Sequence, residues 1–184
     1  MNLNQWFEKG LTAEQYISGM NVNQAGMNQI LERFSLSPEE RERFAPLKGK
    51  GLKAIALSED WCGDALLNNP ILLKIADEIE MDVRFLLRDQ NLELMDQYLT
   101  NGTSRAIPIY IFINKDGEEL AVWGPRAKQL QDLVDQERGK LPSQDDPEFT
   151  DKQKAMYKNL VKSYQVDENL WHAVANSIWD KLRG

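Results

Sequence analysis

One cysteine occurs in the 184 residues, and its surroundings suit reaction better than packing. It lies in Glu59-Asp60-Trp61-Cys62-Gly63-Asp64-Ala65, between an apolar run at 52–57 and a helical pattern that begins at Asp64. Cys62 is thus expected at a helix N-terminus, where free N–H groups and the macrodipole favour a thiolate. A thiolate there can attack a disulfide sulfur. Free cysteine also serves as a small apolar filler. A filler belongs inside a strand or helix, however, rather than in a polar turn beside Trp, Gly and Asp. Glu59, Asp60 and Asp64 oppose thiolate formation. Two readings of Asp64 stay open: an acid, base or substrate-orienting group, or, with Asp60, a helix cap.

Other chemistry finds little support. A single cysteine excludes an internal disulfide and a multi-cysteine zinc or iron–sulfur site within one chain, and a single histidine excludes a His-rich metal site. No metal and no cofactor are expected. His172 falls at the edge of an apolar stripe and reads as a boundary residue. The Gly-x-Ser-x-Gly elbow of a serine hydrolase is missing. Asp145, Asp146, Glu148 and Asp151 lack the spacing and glycine of a calcium loop. Lys48, Lys50 and Lys53 lack the Gly-Lys-Ser/Thr ending of a nucleotide loop and read as a solvated connector. A net charge of −7 with no basic run argues against nucleic acid or a membrane surface as partner. No apolar run approaches the roughly 20 residues of a membrane span, and no signal peptide is apparent, so a cytoplasmic location is expected.

The elements that would position Cys62 follow from periodicity. Capping boxes at Thr12–Gln15 and Ser37–Glu40 start N-terminal helices. Strand patterns occupy 52–57, 82–88, 107–113 and 119–123, the last two joined by Lys115-Asp116-Gly117-Glu118 as a hairpin. Helical patterns fill 64–79, with Pro70 inside, and 92–99, closed by Asn101-Gly102. A further helix opens at Pro125 and ends at Gly139. The order β, α, β, α, β, β, α is that of an α/β mixed sheet: a parallel crossover, an antiparallel hairpin and helices on both faces. After a linker, Thr150-Asp151-Lys152-Gln153 starts one helix and Asp167 caps another. The last helix carries a wide apolar stripe of Leu170, Trp171, Val174, Ala175, Ile178, Trp179 and Leu182. That stripe must be covered by the chain's own core or by a partner. The division is an N-terminal helical extension (1–50), an α/β domain (51–139), and a linker with C-terminal helices (140–184).

Four features in this order resemble the thioredoxin superfamily. Trp61-Cys62-Gly63 is similar to the start of the Trp-Cys-Gly-x-Cys motif. Pro70 matches the family's helix-kinking proline. Arg105-Ala106-Ile107-Pro108-Ile109 resembles its cis-proline segment, and the 115–118 turn resembles the hairpin that follows. The resemblance covers about 51–138, and the Glu-Asp-Trp-Cys-Gly-Asp site with added helices looks like that of a bacterial branch. It implies a thioredoxin-like fold with extra terminal helices and Cys62 as nucleophile. Trp61, Gly63, Asp64, Ile107 and Pro108 would line the substrate site, with the Ile107 backbone bonding an extended substrate.

The chain also departs from that pattern. Ala65 stands where the resolving cysteine would be, and Ala56 where many thioredoxins bury an aspartate. Two functions are therefore expected to compete. In one, a monothiol protein exchanges thiols and disulfides through Cys62, acting on protein thiols or disulfides and resolved by a low-molecular-weight thiol. In the other, the fold is a non-catalytic protein-binding module, with the C-terminal helices as a partner surface.

Overall fold

The computed structural model describes residues 1–184. Four strands, β1 (Lys53–Ser58), β2 (Asp82–Leu87), β3 (Ile109–Ile113) and β4 (Glu119–Trp123), form one sheet in the order β2-β1-β3-β4. β1 and β2 run parallel, joined by the long helix α5 (Gly63–Ile79). β3 is antiparallel to β1 and to β4, with a register shift at Phe112/Ile113. This is a thioredoxin-like fold with added terminal helices.

The strands alternate strictly, as a period-2 backbone requires. Ala54, Ala56, Phe85, Tyr110 and Phe112 face the larger core. Helix α5 packs there, together with α3 (Gln24–Arg33), α4 (Pro38–Phe44), α7 (Lys128–Arg138), α8 (Phe149–Tyr164) and α9 (Glu168–Leu182). Ile55, Leu57, Leu86, Ile109, Ile111 and Ile113 face the smaller one, which α1 (Asn4–Lys9) and α6 (Leu92–Met95) cover through Leu3, Phe7, Leu94 and Met95. The larger core draws residues from 1–50, 51–139 and 140–184 alike. The apolar stripe of α9 is covered by this chain's own core: Trp171, Val174, Ala175 and Ile178 are all buried.

Caps fall where the sequence puts them in three cases. Thr12 before α2 (Ala13–Ser18) and Ser37 before α4 complete capping boxes, and Asp167 accepts from Asn169 and Leu170 N–H. Elsewhere the boundaries differ from the sequence expectation. Helix α6 is one turn long rather than running to residue 99, because Gln97 and Tyr98 donate to the carbonyls three residues back and tighten the chain into a loop. Strand β3 starts two residues late, since Pro108 has no N–H for the ladder. Pro125 does not open α7. It sits in a loop with a cis Gly124–Pro125 bond, and Ala127 holds the N-cap position. Thr150 is not a cap either: α8 begins at Phe149, whose N–H bonds Asp146 O, leaving Thr150 inside the first turn.

Candidate functional site

Cys62 occupies the N-cap position of α5, with extended backbone. Its thiol donates to Ile107 O at 3.5 Å, and the Ile107–Pro108 peptide is cis. Trp61 is 51% exposed, its ring faced by the Arg88 guanidinium at 4.9 Å. Ile107 and Pro108 are buried, and Gly63 and Asp64 are half-buried. The structure thus brings Trp61, Cys62, Gly63, Asp64, Ile107 and Pro108 into one neighbourhood. A cleft of about 440 Å³ opens beside them, and both Trp61 and Cys62 line it.

The carboxylates around Cys62 do three different things. Glu59 accepts from Asp89 N–H at 3.0 Å. Asp60 accepts from Asn21 and Val22 N–H, at 2.8 and 3.3 Å, and so holds the loop between α2 and α3. Neither caps α5. Asp64 is the carboxylate that raises the thiol pKa. Burial, then the Asp64 charge, push Cys62 from an ordinary 9.0 up to about 11, while the N–H groups of Ala65 and Asp64 and the Arg126 charge pull it down. The helix N-terminus is present but is outweighed by desolvation.

Asp64 is itself held in a pair. Arg126 Nε lies 2.8 Å from Asp64 Oδ2, and both side chains are nearly covered. The Nε–H is not aimed squarely at that oxygen. The Tyr164 hydroxyl of α8 also favours the Asp64 carboxylate, by less than Arg126 does. Burial nevertheless raises the Asp64 pKa above its ordinary value, and the arginine offsets only part of that.

The loop carrying Arg126 is fixed by its neighbours. Gly124 has φ +127, and a Cβ there would collide with the Pro108 carbonyl oxygen, so no other residue fits without moving backbone. Asn68 of α5 donates to Pro125 O at 2.9 Å. Gly63 is pressed by α8, since a Cβ on it would lie 2.6 Å from Val161 Cγ2. Helix α8 therefore covers one side of the α5 N-terminus and leaves the Trp61 side open.

Ala65 and Ala56, the two departures from the dithiol pattern, are fully buried. A polar chain runs through the core nearby. Tyr110 OH donates to Asn69 Oδ1 at 2.6 Å, Asn69 Nδ2 donates to Ser58 Oγ at 3.0 Å, and Ser58 Oγ lies 2.9 Å from Tyr16 OH. Burial pushes Tyr16 up to about 12. His172 is remote in role: its Nδ1 lies 2.7 Å from Glu40 Oε1.

Sequence reading missed Arg88, Arg126, Arg138, Gly124 and Tyr164. Gly124-Pro125-Arg126 directly after a strand offered a signal, because Gly-Pro marks a fixed loop. Nothing local in the sequence ties Tyr164 or Arg138 to Cys62.

A family model described as thioredoxin matches residues 10–138, and the chain belongs to that family. No curated protein matches it. Among solved structures it is similar to a Pseudomonas aeruginosa protein of unknown function, with TM-score 0.69 and 15% identity over 97% of this chain and 95% of that one. An HIV epitope scaffold is similar at TM-score 0.67 and 15% identity, over 97% and 96% of the two chains. Fasciola hepatica thioredoxin aligns at 26% identity over 52% of this chain and 88% of its own, with TM-score 0.35. The first two share the fold across nearly the whole length, terminal helices included.

Proposed function

We propose that this protein is a monothiol thiol–disulfide exchange protein of the bacterial branch with the Glu-Asp-Trp-Cys-Gly-Asp site, working in the cytoplasm. The observation that carries this reading is the placement of Cys62 Sγ at the α5 N-cap, 3.5 Å from Ile107 O and open to the cleft. Cys62 attacks the small-thiol sulfur of a protein mixed disulfide. The target protein leaves as a thiol, taking up the proton that Cys62 gave up. A second small thiol then attacks the disulfide on Cys62, restoring its thiol and releasing a small-molecule disulfide. In net, one free small thiol is consumed for each protein thiol released, and the disulfide bond passes from the protein to the small-molecule disulfide. Trp61, Gly63, Asp64, Ile107 and Pro108 border the substrate.

The raised thiol pKa slows this chemistry without abolishing it. Thiolate becomes scarcer as pKa rises, but each thiolate becomes more nucleophilic, and the two effects half cancel. The shift from 9.0 to about 11 costs about tenfold in rate at neutral pH. The test is reduction of a mixed disulfide by wild type and Cys62→Ser with excess small thiol. Loss of activity in the variant is expected; equal activity overturns the reading.

The raised pKa and the buried Ala65 favour a second reading, in which the fold binds a protein without turnover. A complex that forms equally with wild type and Cys62→Ser, and survives reductant, would support it. Failure of both the reduction assay and complex formation rejects both readings.

A further inference from the structure

The cleft beside Cys62 is positively lined in a negatively charged protein. Arg88, Arg126 and Arg138 line it against one carboxylate, Asp64, although the chain as a whole carries −7. The three guanidinium groups are not equally engaged. Arg126 is paired with Asp64, and its Nη1 donates to Gln131 at 3.1 Å. Arg88 is paired with Asp89 and braced on the Trp61 ring. Arg138 donates from Nε and Nη2, at 3.0 and 2.7 Å, to the phenol oxygen of Tyr157. That phenol orients the guanidinium, which is in no ion pair; its charge reaches Asp64, but that carboxylate is held by Arg126 at 2.8 Å. Thr100, Asn101 and Ser104 line the same cleft and add hydrogen-bonding groups without charge.

We propose that this cleft is a binding site for a carboxylate-bearing small thiol, held by Arg138 while its sulfur faces Cys62. The inference rests on the thiol-exchange reading above and names the class of thiol that resolves Cys62. A guanidinium matches a carboxylate in shape and charge. A volume of about 440 Å³ suits a small peptide-sized molecule. Field lines from a basic cleft in an acidic protein concentrate a small anion there. The covalent step balances without any outside oxidant. The Cys62 thiol attacks R–S–S–R, one R–S unit joins Cys62, and the other leaves as RSH with the proton from Cys62.

The experiment compares three symmetric disulfides: 3,3′-dithiodipropionate (anionic), bis(2-hydroxyethyl) disulfide (neutral) and cystamine (cationic). Modification of Cys62 is followed by mass spectrometry. The anionic reagent should react about three- to tenfold faster than the neutral one at low salt, with cystamine slowest and the advantage shrinking as salt rises. Arg138→Gln should bring the anionic-to-neutral ratio close to one, and Arg138→Lys should keep much of it. If Cys62 reacts with the neutral reagent and the anionic one has no advantage, or has one that Arg138→Gln leaves intact, this inference fails while thiol exchange stands. If Cys62 reacts with none of them, thiol exchange fails and the site is read by calorimetry on Cys62→Ser. Binding of 3,3′-dithiodipropionate there, lost in Arg138→Gln, still supports an anion site; no binding overturns it.

Discussion

At Cys62 burial and Asp64 raise the thiol pKa, and the α5 N-terminus lowers it less. Alkylation of Cys62 should therefore speed up with pH toward a midpoint near 11, read by pH-dependent labelling with a neutral alkylating agent. Asp64→Asn removes the second cause and should lower that midpoint; an unchanged midpoint would mean that Asp64 does not act on the thiol. Stability should follow the same group. The folded protein holds the Cys62 proton more tightly than the unfolded chain, whose thiol titrates near 9.0. Stability is then complete below pH 9 and falls as pH rises toward 11. Tyr16, raised from 10.0 to about 12, extends the loss to higher pH. Denaturant melts of Cys62→Ser should lack the decline between pH 9 and 10 and show a shallower one above, where the buried tyrosines still contribute. The identity and position of Cys62 were legible in the sequence because strand–turn–helix patterning is local. The balance of charges on it was not. Glu59 and Asp60 stand next to Cys62 in the chain, yet they turn to Asp89 and to the 21–22 backbone.

Two close approaches lock the elements around the site. Gly63→Ala places a methyl against Val161 and should destabilise the fold by about 1–3 kcal/mol. Val161→Ala in the same chain should recover part of that loss in thermal melts, which separates a packing clash from any other role of Gly63. The polar chain Tyr16–Ser58–Asn69–Tyr110 ties α2, β1, α5 and β3 together. Asn69→Leu would leave Tyr110 OH buried without its acceptor and Ser58 without a donor. Each stranded group costs about 1–3 kcal/mol, and urea denaturation should register a loss of that order. The succession of strands and helices along the chain and the hairpin could be read from periodicity and from the Asp116-Gly117 turn. The extent of α6 and the start of α8 could not. There, tight turns at 97–98 and 146–149 overrode patterns that favoured a longer helix and a Thr150 cap.

Across the whole molecule, the segments outside 51–139 are structural parts of the sheet protein. Met156, Leu160, Tyr164, Trp171, Val174 and Ile178 belong to the larger core. The chain cut after Lys140 should therefore lose cooperative unfolding and expose apolar surface, seen as dye binding and a flattened melt. A sharp, native-like melt would show that the terminal helices are dispensable. Amphipathic stripes announced that these helices needed cover, but only the fold reveals that they cover α5 and the Asp64 pair. The N-terminal segment closes the other side: Leu11 bonds the outer edge of β2 at Phe85, and Leu3 N–H bonds Gly117 O. Those contacts bear on how the chain is made. Residues 3–11 are made well before their partners, which emerge some 75 to 115 positions later. Until β3 emerges, β1 has a free edge on the side away from β2, and the opening helices wait without a finished surface to rest on. A nascent chain of this kind keeps its larger core partly uncovered until α9 is out, so its hazard of mispairing is greatest during synthesis rather than after it.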